Sequence, residues 1–508
     1  MQESNTKIPL NQILYGPPGT GKTYFTINKT LEILASEEYT NALGDSKREE
    51  ILRVLNELEN NPLHTESRKR AREIFEEFKE KGQIEFITFH QSYSYEEFVE
   101  GIKPVLEDDN SQNMTYEVKD GIFKRFCGEA GKVYEDSQKT SSELAREQDI
   151  EELLEQYADF VQSQLEKGIN PPYEAKNFSR KTKMKIQGVK RLKNGDFSIQ
   201  IGTGDGPPQS LSKKQIIQYY EKYRNGEIDV TGMLPTKESQ SPTHANAGYY
   251  VALFDMIMEF EQSNNYIYQK QSTPIDNKIK PYILIIDEIN RGNISKILGE
   301  LITLIEPSKR AGNEEALSVA LPYSGDEFSV PKNLYIIGTM NTADRSIALL
   351  DTALRRRFEF IEMMPNPEIL SENCEGVNLK QLLEMLNSRI EFLLDRDHTL
   401  GHAFFIGVDN LGKLQNVFAK KIIPLLQEYF YEDYAKIIAV LNNGMIKIKK
   451  VKAKDLGIEL NDDFNYDEKE IYSITEAKDW KKENFQKIYD DTIKLNDKAE
   501  HSNNENEE

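Results

Sequence analysis

The chain has 508 residues, which at roughly 100–200 residues per domain implies two to four domains. Hydrophobic residues make up 38% and charged residues 29%, and 25 Tyr and 23 Phe supply core-forming side chains, so a disordered chain is excluded. The two cysteines, Cys127 and Cys374, exclude a disulfide scaffold or a zinc ribbon, and a net charge of −21 excludes a protein that coats nucleic acid with its whole surface.

Ile13-Leu14-Tyr15 reads as a short strand entering a Gly-rich turn, and Tyr24 to Ala35 as a helix with Ile27, Leu31 and Leu34 on one face. Residues 45–81 carry helical apolar spacing, and Ile84 to Phe89 is a second strand. Tyr95 to Ile102 begins a helix or loop, and Thr140 to Glu166 is polar, acidic and helical in spacing. The composition changes over residues 170–245. Pro171-Pro172 and Pro207-Pro208 flank two strand candidates, Ile186–Val189 and Phe197–Ile201, with Asn194-Gly195 as a hairpin turn between them. Ser212 to Tyr223 then reads as a helix. This stretch is expected to be a small α+β insertion.

A helix from Tyr249 to Phe260 resumes the regular pattern. Strands Tyr282–Ile286 and Leu334–Gly338 alternate with helices Ile294–Ile305 and Ile347–Arg357. Such alternation predicts an α/β fold with a parallel sheet. Helices are expected over Leu379–Leu394 and Leu414–Leu441. The expected organisation is an interrupted α/β core over 1–365, the inserted module over 170–245, a helical lid over 366–450, an extension over 451–495 and a disordered acidic tail over 496–508. No apolar run approaches the roughly 18 residues of a membrane helix, and the N-terminus lacks a secretory pattern. A soluble, cytoplasmic protein without membrane contact is expected.

Gly16-Pro17-Pro18-Gly19-Thr20-Gly21-Lys22-Thr23 fits G-x-x-x-x-G-K-[ST] between a strand and a helix. The glycines let backbone N–H groups wrap phosphates at a helix N-terminus, with Gly16, Pro17, Gly19, Thr20 and Gly21 as the nucleotide-binding residues of the loop. Lys22 brings a charge to the β- and γ-phosphates, and Thr23 a hydroxyl to Mg²⁺. Four apolar residues, Ile283 to Ile286, run into Asp287-Glu288. Asp287 is placed to hold Mg²⁺ through water, and Glu288 to orient or deprotonate the attacking water. Asn341 ends the strand Leu334–Gly338 and its extension, where an amide can hold that water. Arg355-Arg356-Arg357 closes a helix, either complementing its dipole or reaching a neighbouring subunit's γ-phosphate.

These strands and motifs resemble the AAA+ family of ring-forming P-loop NTPases. More narrowly, NQILYGPPGTGKTY, TFHQSYSYEEFVEGI, IIDEINRGNISKILGELITLIEPSKR and MNTADRSIALLDTALRRRF resemble the McrB-like motor subunits of modification-dependent restriction systems. The resemblance covers about residues 8–125 and 245–445. It implies a hexameric ring with nucleotide between subunits, Glu288 and Asn341 as water-activating base and sensor, and Arg356 and Arg357 as the finger positions. It also places Asp344 and Arg345 in an interface signature, and His402, in Gly401-His402-Ala403-Phe404-Phe405, where the lid meets the nucleotide. A McrC-like nuclease partner, DNA as substrate and GTP or ATP with Mg²⁺ are implied; no nuclease site is recognisable in the chain itself.

The pattern is departed from in two places. The phosphate loop opens at residue 16, so the usual DNA-reading domain ahead of the motor is not expected here. The 170–245 insertion matches no known module, yet seven cations (Arg180, Lys181, Lys183, Lys185, Lys190, Arg191 and Lys193) fall within fourteen of its residues with no acid between them. Alternating with Met184, Ile186, Val189 and Leu192, they suggest a strand with one cationic face for DNA phosphates, or a hairpin that is solvated or docks on an acidic neighbour. A MoxR-like or dynein-related chaperone and a non-hydrolysing scaffold are the competing functional readings.

Overall fold

A computed structural model describes residues 7–106, 114–168, 175–176, 183–191, 196–202, 207–226, 247–263, 277–344, 352–442, 444–456 and 468–495. The chain divides into two compact units: Met1–Tyr134 with Ile279–Glu508, and Glu135–Lys278. None of the described helices is long and apolar enough to cross a membrane.

The first unit is built on a five-stranded parallel sheet. Its strands are β1 (Asn11–Gly16), β2 (Ile84–Thr88), β3 (Tyr282–Asp287), β4 (Leu334–Asn341) and β5 (Glu359–Glu362), in the spatial order β5-β1-β4-β3-β2. A parallel sheet is covered on both faces, so its central strands read as unbroken apolar runs. Ile283, Leu284 and Ile285 accordingly have no solvent exposure. Alternate side chains divide between two cores. Leu14, Ile283, Ile285 and Ile337 pack on one side with helices Lys22–Leu34 (α1), Asp45–Asn60 and Thr65–Glu80. Ile13, Leu284, Ile286 and Ile336 pack on the other with Phe123, Phe126 and Ala130 of helix Ile122–Ser137. The register sets Gly16 beside Asn341 and Thr88 beside Asp287. The ends of β1, β3 and β4 therefore meet at one edge, where ligands bind in open α/β sheets.

Three helical expectations are redrawn. Ile294–Ile305 breaks at Gly299 (φ 53°), and a 3₁₀ turn follows the helix Ile294–Leu298. The stretch 414–441 is also interrupted. Pro424 cannot donate a backbone hydrogen bond, and a π turn, Phe418–Ile422, precedes helix Ile423–Tyr429. Tyr431 and Glu432 then turn the chain with left-handed φ values before Tyr434–Leu441. Tyr95–Ile102 divides into a single helical turn, Tyr95–Phe98, and the first strand of a hairpin, Glu100–Leu106 with Met114–Asp120. Of the predicted helix Ile347–Arg357, only Thr352–Arg355 lies within the described residues.

The lid has its own core, in which Leu382, Leu386, Phe418 and Leu426 pack with Trp480, Phe485 and Ile488 from beyond residue 450. The acidic end, 496–508, lies outside the described residues.

The second unit is an antiparallel sheet, Ala175–Lys176, Lys183–Arg191, Phe197–Gly202 and Gln209–Ser212, with helices Ser141–Glu166, Lys213–Arg224 and Ala247–Ser263. It takes in the predicted 170–245 segment together with helices on either side. Ile199, Ile201, Leu153, Tyr157 and Phe254 form one core there. Within the basic run, Met184 and Ile186 point into this core, and a bulge between Ile186 and Gly188 shifts the register. Arg191 is engaged inside the unit: its guanidinium pairs with Glu155 at 2.9 Å and Asp159 at 2.5 Å. Arg180, Lys181, Leu192, Lys193 and the Asn194-Gly195 turn lie outside the described residues.

Candidate nucleotide site

The loop between β1 and α1 is shaped by left-handed backbone at Gly19 and Gly21, both at φ 78°. Such conformations strain any residue with a Cβ. Gly21 is the residue ahead of helix α1, whose unpaired N–H groups and dipole favour an anion. Lys22 is only 6% exposed, and its ammonium donates to the carbonyls of Gly16 at 2.9 Å and Pro17 at 2.7 Å. Burial lowers its pKa to about 8, against the opposing pull of Glu288 and Asp287. The buried Lys22 ammonium and the N-terminal end of α1 supply the positive charge a polyphosphate requires.

The β3 and β4 ends complete this edge. Asp287 Oδ1 accepts from Thr23 Oγ1 at 2.8 Å and from Thr339 Oγ1 at 2.6 Å. Thr339 in turn accepts the backbone N–H of Glu288 at 3.1 Å. Glu288 stands at φ 53°, a conformation uncommon for a residue with a side chain. Asn341 donates its amide to Glu288 Oε1, while Arg291 Nε donates to Oε2 at 3.1 Å. Arg291 also pairs with Asp344 at 3.2 Å. Asn290 donates to the carbonyl of Asn341 at 3.2 Å, and its own Oδ1 is buried without a partner among the described residues. Thr23, Asp287, Glu288 and Asn341 are thus brought together at this edge. Thr339, Asn290 and Arg291 were not foreseen as partners; their signal was adjacency to Asn341 and Glu288. Arg345 lies outside the described residues.

The lid touches the loop directly. Gly401 N–H donates to the Pro18 carbonyl at 3.0 Å and Ala403 N–H to Gly19 at 2.9 Å. His402 Nδ1 accepts the Asn366 N–H at 3.1 Å. That bond leaves the proton of the neutral ring on Nε2, and burial lowers the ring's pKa. A Cβ built on Gly21 would lie 4.0 Å from this Nε2, so the ring faces the loop. Near it, Leu63, Ile369, Leu370, Leu379, Phe405 and Val408 line an apolar cavity of about 320 Å³. The segment Ile8–Asn11, by contrast, lines a cavity at the opposite end of β1 with Arg356 and Arg357. At roughly 3.3 Å per residue it stands most of a strand away from the phosphate loop.

The three arginines differ. Arg357 is 7% exposed, bonds the Ala353 carbonyl and pairs with Glu306 at 3.3 Å, leaving Nε buried without a partner among the described residues. Arg355 lies over the Phe360 ring at 5.5 Å. Arg356 is exposed and has no ion-pair partner among the described residues. All three stand beside the start of β5, at the sheet end remote from the subunit's own phosphate loop.

A five-stranded parallel sheet in the order β5-β1-β4-β3-β2, with a phosphate loop after β1, an acidic pair at the end of β3, the next strand but one, and a helical lid, defines a AAA+ P-loop protein. Comparison with known families agrees: residues 251–358 match the AAA domain of the dynein-related subfamily, and residues 378–438 match the McrB alpha-helical lid domain. Among curated proteins, the Type IV methyl-directed restriction enzyme EcoKMcrB subunit of Escherichia coli (strain K12) is 40% identical over 176 residues, 30% of this chain and 38% of that protein. The Type II restriction enzyme BsuMI component YdiS of Bacillus subtilis (strain 168) is 30% identical over 174 residues, 30% of this chain and 50% of its own length. These matches support a McrB-like AAA+ protein, and they span half or less of each curated relative.

Proposed function

We propose that this protein is the nucleotide-hydrolysing motor of a restriction system, working on DNA with a nuclease partner of the McrC type. The network joining Thr23, Asp287, Thr339, Glu288 and Asn341 carries the reading. It sets a hydroxyl and a carboxylate side by side for a hard cation, and a second carboxylate, held at both oxygens, one residue further on.

Thr23 Oγ1 and Asp287 suit Mg²⁺, which takes one or two protein oxygens and completes its shell with phosphates and water. When bound, Mg²⁺ neutralises charge on the phosphates. Lys22 and the backbone of Gly19 and Gly21 bind and orient the phosphate chain. Asn341 and Arg291 fix the Glu288 carboxylate, which accepts a proton from the attacking water. His402 presents Nε2–H from the lid toward the phosphate loop, and the neighbouring apolar cavity takes the base of GTP or ATP. Arg356, unable to serve its own subunit's loop, supplies positive charge to the next subunit in a ring, proposed to be a hexamer.

The dynein-related character of the AAA domain favours one competing reading, a chaperone that remodels protein complexes. Steady-state hydrolysis of GTP and ATP, with and without the product of an adjacent nuclease-like gene, separates the two. Partner-stimulated turnover is expected. Turnover indifferent to that partner and to DNA would overturn the restriction reading.

A further inference from the structure

Beyond the lid helices the chain forms a two-stranded antiparallel ribbon, Ile446–Lys452 with Glu468–Ile474. Side chains alternate between its two faces. One face carries Ile446, Ile448, Lys450 and Lys452 opposite Ile474, Tyr472, Glu470 and Glu468. This face is anchored and neutralised. Ile446 is buried in the lid core, Tyr472 stacks on Tyr434 of the lid with centroids 5.5 Å apart, and Lys450 pairs with Glu468 and Glu470 at 3.7 Å. The other face carries Lys447, Lys449 and Val451 opposite Ser473, Ile471 and Lys469. Its three lysines are exposed, no carboxylate shares the face, and none of the three has an ion-pair partner among the described residues.

The base of the ribbon is fixed. Thr475 donates its N–H and its hydroxyl to the Met445 carbonyl, each at 3.0 Å, and Trp480 Nε1 donates to Thr475 Oγ1 at 2.7 Å. Trp480 belongs to the lid core, so the ribbon travels with the lid, which itself bonds the phosphate loop through Gly401 and Ala403.

We infer that the Lys447–Lys449–Lys469 face is a contact surface for the phosphate backbone of DNA, carried by the lid. The inference rests on the proposed action on DNA and adds where the motor holds it. Charge complementarity selects the occupant. A chain of net charge −21 repels a polyanion over most of its surface, yet here the acids are gathered on one side of the ribbon and unpaired cations on the other. Lysines two apart on a strand stand about 6.8 Å from each other, equal to two nucleotide rises of about 3.4 Å along the axis of the duplex. A two-stranded ribbon also has the width to enter a major groove. Lysine contacts of this kind are blind to sequence, as a motor that moves along DNA requires. The basic strand of the second unit is a weaker claimant, because Arg191 already serves Glu155 and Asp159.

The test compares the full-length protein with the triple variant Lys447→Gln, Lys449→Gln, Lys469→Gln, and with a charge-matched control, Lys69→Gln, Lys79→Gln, Lys132→Gln. Binding to a 30-base-pair duplex is followed by fluorescence anisotropy across a salt series with nucleotide present. The ribbon variant should bind about tenfold or more weakly, its log K against log salt slope shallower by about 2.7 for three lost contacts. The control should match wild type, and DNA-free nucleotide hydrolysis should be the same in all three. Unchanged affinity and slope in the ribbon variant, with wild type binding, would overturn the inference and leave the motor reading standing. No binding by wild type, alone or with its nuclease partner, would overturn both. Loss of partner capture with DNA binding intact would assign the face to an acidic protein surface and likewise overturn it.

Discussion

A Cβ built on Gly401 would lie 1.9 Å from the carbonyl carbon of Gly19. Lid and phosphate loop therefore meet backbone to backbone, with the Gly401 N–H on Pro18 and the Ala403 N–H on Gly19. Gly401→Ala must push the two apart. Overpacking of this kind costs about 1–3 kcal/mol, and here it falls on the contact that lets the lid respond to nucleotide. We expect nucleotide affinity to fall at least tenfold by calorimetry while the circular dichroism spectrum is retained. Wild-type affinity in the variant would show that the lid contact is dispensable.

Glu288 and Asn341 are joined by one hydrogen bond, but their loss should differ in kind. Glu288→Gln keeps a side chain of the same shape and removes the base, so nucleotide should still bind while turnover falls by 10² to 10⁴, the usual contribution of a positioned general base. Asn341→Ala leaves the base but frees its Oε1, so a smaller loss is expected, with Arg291 still holding Oε2. Single-turnover hydrolysis beside a filter-binding assay separates the two. Retained turnover in Glu288→Gln would remove this residue from the role of base.

Lys22 makes the stability of nucleotide-free protein depend on pH in a particular direction. Its folded-state pKa is lowered from 10.5 to about 8 by burial, so between those values the unfolded chain binds the extra proton. Stability then rises with pH across this window. Below pH 8 the ammonium is buried and charged, and the penalty is fully present. Relative to Lys22→Met, wild type should gain up to about 3 kcal/mol between pH 7 and pH 10.5, at 1.36 kcal/mol per unit. Urea unfolding of both proteins at pH 7, 8.5 and 10 measures the difference. A difference independent of pH would mean that the ammonium is better solvated than its surroundings indicate.

Local sequence carried much of this architecture. Apolar runs bounded by Gly-rich or acidic ends marked β1, β3 and β4, and parallel pairing then brought Gly16, Asp287 and Asn341 to one edge. What escaped depends on contacts distant in sequence. Gly401 has no local signature; its need for glycine arises only where Gly19, hundreds of residues earlier, packs against it. The hairpin Glu100–Leu106 with Met114–Asp120 was hidden because Ile102 and Tyr116, which a strand pattern would bury, are 54% and 70% exposed. Within the cationic run 180–193, spacing alone does not show that a bulge after Ile186 shifts the register of the strand Lys183–Arg191, or that helix Ser141–Glu166 supplies the acids that pair with Arg191. The sorting of charge on the lid ribbon needed the register of Lys450 with Glu470, which spacing along one strand does not contain.

The resemblance singled out Arg356 and Arg357 as finger positions without telling them apart, whereas their surroundings separate them. Arg357 is buried against Glu306 and the Ala353 carbonyl, so Arg357→Ala should destabilise the fold by about 2–3 kcal/mol, removing a buried charge from its partners. Arg356 is exposed, and Arg356→Ala should change stability by no more than about 0.5 kcal/mol. Turnover should nevertheless fall by 10³ or more if this arginine completes a neighbour's site. Mixing supplies the decisive measurement. In a mixed ring of Arg356→Ala and Glu288→Gln subunits, the first kind has an intact base and receives Arg356 from the second. Two inactive preparations should therefore regain activity when combined. Failure to regain it, with mixed rings verified by mass, would place Arg356 outside the shared site.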